Sequence, residues 1–202
     1  MKLRLPEVVF LFVLGGIAAL IGDHGHVTSG TTVYYTDAVP FVGSSPVWFP
    51  LLVGAATVSL AELRLHLPQM RTTVTLRQGI AGVAAVVGMY VTTALLHGAP
   101  VTPATTLICV AAVLTWCVLG DGPAAICGAI AAIVGPAAEV GLRELGVFAY
   151  NPGSDHLFGV GVFLVPLYFA FGVVVATLAE LLAVRRQGRT ELAQAVSGPG
   201  AG

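Results

Sequence analysis

A chain of 202 residues, 56% hydrophobic, only 9% charged and with a net charge of −1, has a mean hydropathy of +0.92. Soluble domains carry charge on about a quarter of their residues, so this composition excludes one and leaves an integral membrane protein. The absence of any basic excess also removes the field that would recruit nucleic-acid phosphates.

A helix crossing the hydrocarbon core needs about 20 apolar residues, fewer when its flanks snorkel. Six runs qualify, at residues 5–21, 46–63, 78–96, 103–119, 123–142 and 157–184. The first follows Met1-Lys2-Leu3-Arg4, a start shared by signal peptides, but retaining it makes the charge distribution consistent. With both ends on one side, that side receives Lys2, Arg4, Arg64, Arg71, Arg77, Arg185, Arg186 and Arg189, and the other receives Arg143 alone. The positive-inside rule then places both termini in the cytoplasm. The expected architecture is an all-α bundle of six transmembrane helices, one membrane domain over residues 1–189, with a flexible cytoplasmic tail at 190–202 rich in Gly, Ser and Ala.

The outer connection from Gly22 to Ser45 is long and polar, whereas Gly120-Asp121-Gly122-Pro123 is a bare turn that forces the fourth and fifth spans into an antiparallel hairpin. Pro136 and Pro166 fall inside the last two spans, where each removes a backbone hydrogen bond and can kink its helix. Small residues four apart, Gly128 with Ala132 and Ala81 with Ala85, allow close helix approach in lipid. Cys109, Cys117 and Cys127 lie inside apolar runs without metal-ligand spacing and read as small buried hydrophobes.

Few residues carry chemistry. Asp23-His24-Gly25-His26 could ligate a divalent ion, but no further ligand completes a site, so it reads as solvated loop and no metal or other cofactor is expected. Glu139 lies one turn before Arg143, the favoured order for a helical ion pair, and about 24 Å along its span from Pro123, near the outer interface. Asp121 reads as a turn residue or a helix cap. No nucleophile elbow, phosphate loop or paired midplane carboxylates appear, so the chain is not expected to be an enzyme. The span interiors offer scattered hydroxyls, which suit a mostly apolar ligand with one or two hydroxyls of its own.

Three stretches in order carry a resemblance. Leu145-Gly146-Val147-Phe148-Ala149-Tyr150 followed by Asn151-Pro152-Gly153-Ser154-Asp155, Val47-Trp48-Phe49-Pro50 ahead of Gly54-Ala55, and Trp116-Cys117 shortly before Asp121 are similar to motifs of the insulin-induced gene proteins, the Insigs. That family has Asn-Gly-Val-Tyr-x-Tyr at the first, a Trp-x-Pro opening of the second span, and a double Trp before an Asp. Here Leu145 replaces the Asn, Cys117 replaces the second Trp, and the spacing to Asp121 is one residue longer. The resemblance covers about 180 residues in span order. It implies a non-enzymatic lipid sensor that holds an oxysterol-type ligand among its helices and retains partner membrane proteins.

The function expected is therefore binding of a neutral lipid, sterol or diacylglycerol-like, in a cavity between the helices. Thr105, Trp116, Glu139 and Tyr150 are the candidate lipid-binding residues and Asp121 the candidate partner contact. A membrane-protein partner or self-association is compatible with this, and the Ala- and Gly-rich interior suits a bacterial-type inner membrane. The alternative is a vitamin-capturing subunit of a small-solute transporter. A metal-dependent membrane enzyme built on His24 and His26 ranks behind both.

Overall fold

The computed structural model describes residues 2–35 and 39–197. Six helices are long and apolar enough to cross a membrane. They are α1 (Leu5–Ser29), α2 (Trp48–His66), α3 (Leu76–Leu95), α4 (Val101–Leu119), α5 (Gly122–Glu144) and α6 (Leu164–Ser197). Three of them start or stop on local chemistry. Thr75 and Gln78 form a capping box at the start of α3, and Asp121 caps α5 by accepting from the Ala124 N–H at 2.8 Å. Gly30, in the left-handed region at φ 76°, terminates α1.

The helix α6 is the centre of the bundle. Within its most apolar window 72% of residues are buried, against 17–39% for the other five, and it packs on α2, α3, α4 and α5. Close approach rests on glycine: a Cβ at Gly172 would lie 2.5 Å from the Cys127 carbonyl oxygen and 2.8 Å from the Gly128 Cα. On α3 the residues that permit approach are Gly79 and Gly82, which face Leu181 and Val174 of α6, rather than the expected Ala81. Alternating helix direction puts the start of α1 and the end of α6 at one end of the bundle, here the terminal face. The opposite end, the loop face, carries the longer connections.

At the loop face β1 (Thr32–Tyr34) pairs antiparallel with β4 (Phe148–Tyr150), with Thr32 opposite Tyr150 and Tyr34 opposite Phe148. The short β2 (Phe41–Val42) and β3 (Ser45–Pro46) form a second antiparallel pair. At the terminal face an ion cluster ties four segments together. Glu180 of α6, with no exposed side-chain surface, accepts from Arg64 Nη2 at 2.5 Å and from Arg71 Nη2 at 2.6 Å. Arg71 also donates to the Leu119 carbonyl at 2.6 Å, and Arg64 reaches Asp121 at 3.2 Å. The turn between α4 and α5 is thereby fastened to α2, to the α2–α3 connection and to α6.

Several expectations change. The first helix runs to Ser29, eight residues past the expected end of its span, because its polar residues there have partners inside the protein. The last helix begins at Leu164, so Pro166 sits in its first turn, where a missing N–H costs no intrahelical bond, and cannot kink it. It also continues to Ser197, through most of the stretch expected as tail; residues 198–202 of that tail lie outside the described residues. Cys109 and Cys117 are exposed on the outer surface of α4, while Cys127 is buried.

Candidate functional site

A cavity of about 310 Å³ lies between α2 and α5, within the usual range for ligand sites. It follows α2 from Trp48 to Leu63, roughly 22 Å of helical rise. Leu52, Ile130 and Val134 line it and are also exposed on the outside of the bundle. The cavity therefore opens sideways, between two helices, toward the hydrocarbon. A second branch of about 60 Å³ shares Phe49, Tyr90, Glu139 and Phe171 with it and reaches Gly15 and Ala19 of α1.

Its walls are apolar and its polar groups gather at the loop-face end. Glu139 of α5, 8% exposed, accepts from Tyr150 Oη and from Tyr168 Oη, each at 2.6 Å. Asp23 of α1, 3% exposed, accepts from Tyr34 Oη at 2.9 Å and from Ser45 Oγ at 2.5 Å. The strand pair makes this possible, since it carries Tyr34 on β1 and Tyr150 on β4 to the same end of the cavity. Burial, followed by the neighbouring Asp23 and Glu139 carboxyls, pushes the Tyr34 phenol well above its ordinary range, and burial followed by Glu139 does the same to Tyr150. Both phenols therefore stay protonated and act as donors.

His26 completes this end. Its Nε2 lies 2.8 Å from Thr93 Oγ1, and that hydroxyl gives its own proton to the Tyr90 carbonyl at 2.6 Å. Thr93 can then only accept, so Nε2 carries the histidine's proton and Nδ1 is an acceptor in the neutral ring. The imidazole is held edge-on against Tyr90, Tyr150 and Phe163. Thr32 also lines the cavity, and its buried Oγ1 has no partner among the described residues. No lysine or arginine is among the lining residues.

The cavity brings together two of the four residues expected to meet lipid, Glu139 and Tyr150. Thr105 instead borders a void of about 20 Å³ beside Leu96 and Phe163. Trp116 lies at the terminal face, its indole N–H donating to the Asp121 carbonyl at 3.0 Å. Asp121 itself caps α5 and joins the ion cluster, with 21% of its side chain exposed. The expected Glu139–Arg143 ion pair does not form: Glu139 turns inward to the two phenols, and Arg143 pairs with its neighbour Glu144. The segment expected as solvated loop is helix, with Asp23 and His26 buried, while His24 reaches out to Ser44 Oγ at 3.0 Å. Among the described residues no group of three His, Cys, Asp or Glu could hold a metal.

Asp23 and His26, weighed from the sequence only as metal ligands and read as solvated loop, and Thr32, Tyr34 and Tyr168 were not expected at a lipid site. A signal for the first two was present: Gly30 is a natural helix terminator, and extending α1 to it places Asp23 and His26 three residues apart on one face.

No family model matches the chain. It is 66% identical, over the full length of both chains, to a protein described as an INSIG protein homolog from Mycolicibacterium vanbaalenii. Its fold matches the crystal structure of the mycobacterial Insig homolog MvINS with a TM-score of 0.91 and 68% identity, covering 92% of this chain and 98% of that one. A cross-linked trimer of a cysteine variant of MvINS matches equally well, at a TM-score of 0.91 and 67% identity. With six apolar helices, the three ordered motifs and two-thirds identity across its whole length, the chain is a multi-pass integral membrane protein and belongs to the Insig family.

Proposed function

We propose that the chain is a lipid-binding sensor whose cavity between α2 and α5 holds one neutral, hydroxyl-bearing membrane lipid of the sterol or diacylglycerol class. The observation that carries this reading is the asymmetry of the cavity. Its walls are apolar and open to hydrocarbon, and its single polar end holds, beside two carboxyl groups, a buried Thr32 hydroxyl without a partner among the described residues. An apolar ligand buries its surface against these walls, and its hydroxyl pairs with the Thr32 Oγ1 that has no partner among the described residues. Phosphate head groups fit poorly, because carboxyls line that end and no cation does.

The transporter reading has less support. A water-soluble vitamin needs polar groups through the depth of its site, and toward the terminal face the one hydroxyl on the wall, Ser59, is spent on its own helix at Ala55. The arrangement at the polar end is that of a binding site, with its carboxyls occupied by phenols and a hydroxyl. We assign the terminal face, with its arginines, to the cytoplasm. The trimer known for a relative supports self-association of this chain as well. Asp121, implied as a partner contact, has its oxygens engaged in the α5 cap and with Arg64. A membrane-protein partner would therefore meet the whole α4–α5 turn.

The test is mass spectrometry of lipid retained through purification in mild detergent. One neutral lipid enriched near one per chain is expected. Ala138 is exposed and lines the cavity, so Ala138→Trp plugs the mouth and should abolish retention without lowering the melting temperature. Retention of bulk lipid alone in the parent protein, in the same proportions as an unrelated six-span protein, would overturn the reading.

A further inference from the structure

The terminal face holds a second feature, separate from the cavity. A groove of about 550 Å³ runs between the start of α1 and the end of α6, lined by Arg4, Arg185, Arg186 and Arg189 around Glu7, the one acid among the described lining residues. That acid is already committed: Glu7 Oε2 accepts from the Arg4 backbone N–H at 2.8 Å and lies 3.4 Å from Arg186 Nη1. Arg186 also donates to the Lys2 carbonyl at 2.9 Å, yet its buried Nη2 has no partner among the described residues. Arg4, Arg185 and Arg189 are exposed, and among the described residues none forms an ion pair. Three guanidiniums thus face one groove with no ion-pair partner among the described residues.

Positive residues at helix ends follow from topology alone, but topology does not require them to converge from the first and last helices on one concavity. On the membrane side of the arginines, Phe10 and Leu182 supply apolar lining, and Phe10 is 49% exposed on the outer surface. Arginines next to an apolar stretch, at the level where the hydrophobic run of α6 gives way to charge, match the profile of a lipid whose head group is anionic. Guanidinium forks are suited to phosphate, which they can engage with two parallel hydrogen bonds.

We propose that this groove binds the phosphate head group of an anionic membrane lipid through Arg4, Arg185 and Arg189, with the unpartnered Nη2 of Arg186 as a further donor and an acyl chain along Phe10 and Leu182. The site is opposite in charge to the polar end of the cavity. It therefore selects a different lipid, and it holds whether or not the cavity is occupied.

Native mass spectrometry of the full chain in mild detergent tests this, with phosphatidic acid and phosphatidylcholine of matched acyl chains added in turn. Phosphatidic acid is expected to bind at least about tenfold more tightly than phosphatidylcholine. Each guanidinium near an anionic head group contributes enough that the triple variant Arg4→Gln/Arg185→Gln/Arg189→Gln should lose roughly 100-fold in that affinity. The lipid retained in the cavity should be unchanged in the same spectra. Should the triple variant fold poorly, Arg189→Gln alone is expected to lose about fivefold. Binding of phosphatidic acid by the triple or the single variant as tightly as by the parent would overturn the proposal. So would displacement of the lipid by an equal concentration of inorganic phosphate, which would make free anion the occupant.

Discussion

A carboxyl group inside a membrane protein is tolerable when both of its oxygens are occupied, and Glu139 meets that condition with two phenols. Tyr168→Phe removes one donor and leaves an oxygen facing the cavity. Interhelical hydrogen bonds in membranes average well under 2 kcal/mol, so a loss of about 1 kcal/mol is expected, read as a small drop in melting temperature in detergent. Arg64 is a harsher case, since its side chain has no exposed surface and Glu180 has none either. Arg64→Leu leaves a buried carboxylate short of a partner and should cost about 3–5 kcal/mol, while Arg64→Leu/Glu180→Leu should cost less than the sum of the single changes. A double-mutant cycle by thermal unfolding would show this. The sequence marked Glu139 as anomalous but gave it the wrong partner. The spacing to Arg143 describes neighbours on a helix surface, whereas α5 turns Glu139 inward to partners on β4 and α6 that are 11 and 29 residues away.

At the level of elements, apolar runs locate all six helices but misjudge their ends. A run stops at its first polar cluster, so the expected first span ended at Ile21; the helix continues to Ser29 because Tyr34, Ser45 and Thr93 supply partners for Asp23 and His26. Those partners are distant in sequence and no local pattern encodes them. The polar end of the cavity was hidden for the same reason, and only its α5 and β4 members, Glu139 and Tyr150, were expected to meet lipid. The tightest contact between elements is also local in appearance and tertiary in cause. Gly172 lets α6 touch the α5 backbone, so Gly172→Ala should force the two helices apart. Overpacking of this kind costs about 1–3 kcal/mol, and a lowered melting temperature with retained helical circular dichroism is the expected outcome.

For the whole molecule, charge distribution and hydropathy were sufficient to fix six spans and to sort the basic residues onto one face. The orientation we propose rests on that asymmetry and is directly testable. With the native cysteines replaced, Thr190→Cys should react with a membrane-impermeant maleimide only after permeabilisation, and Ser44→Cys should react in intact cells. The reverse pattern would invert the assignment of the terminal face to the cytoplasm. With that orientation, the two proposed lipid sites would divide between the leaflets, the polar end of the cavity at the outer level and the arginine groove at the inner.

Under the proposed function, the sideways opening between α2 and α5 sets what the cavity would measure. A lipid that enters from hydrocarbon never passes through water, so its binding equilibrium is written in mole fraction of the bilayer and not in aqueous concentration. Diluting proteoliposomes tenfold with buffer leaves occupancy unchanged, whereas diluting the lipid tenfold with inert phospholipid empties the site. A sensor of this kind would report the composition of the sheet it floats in, and would be indifferent to the volume of the cell around it.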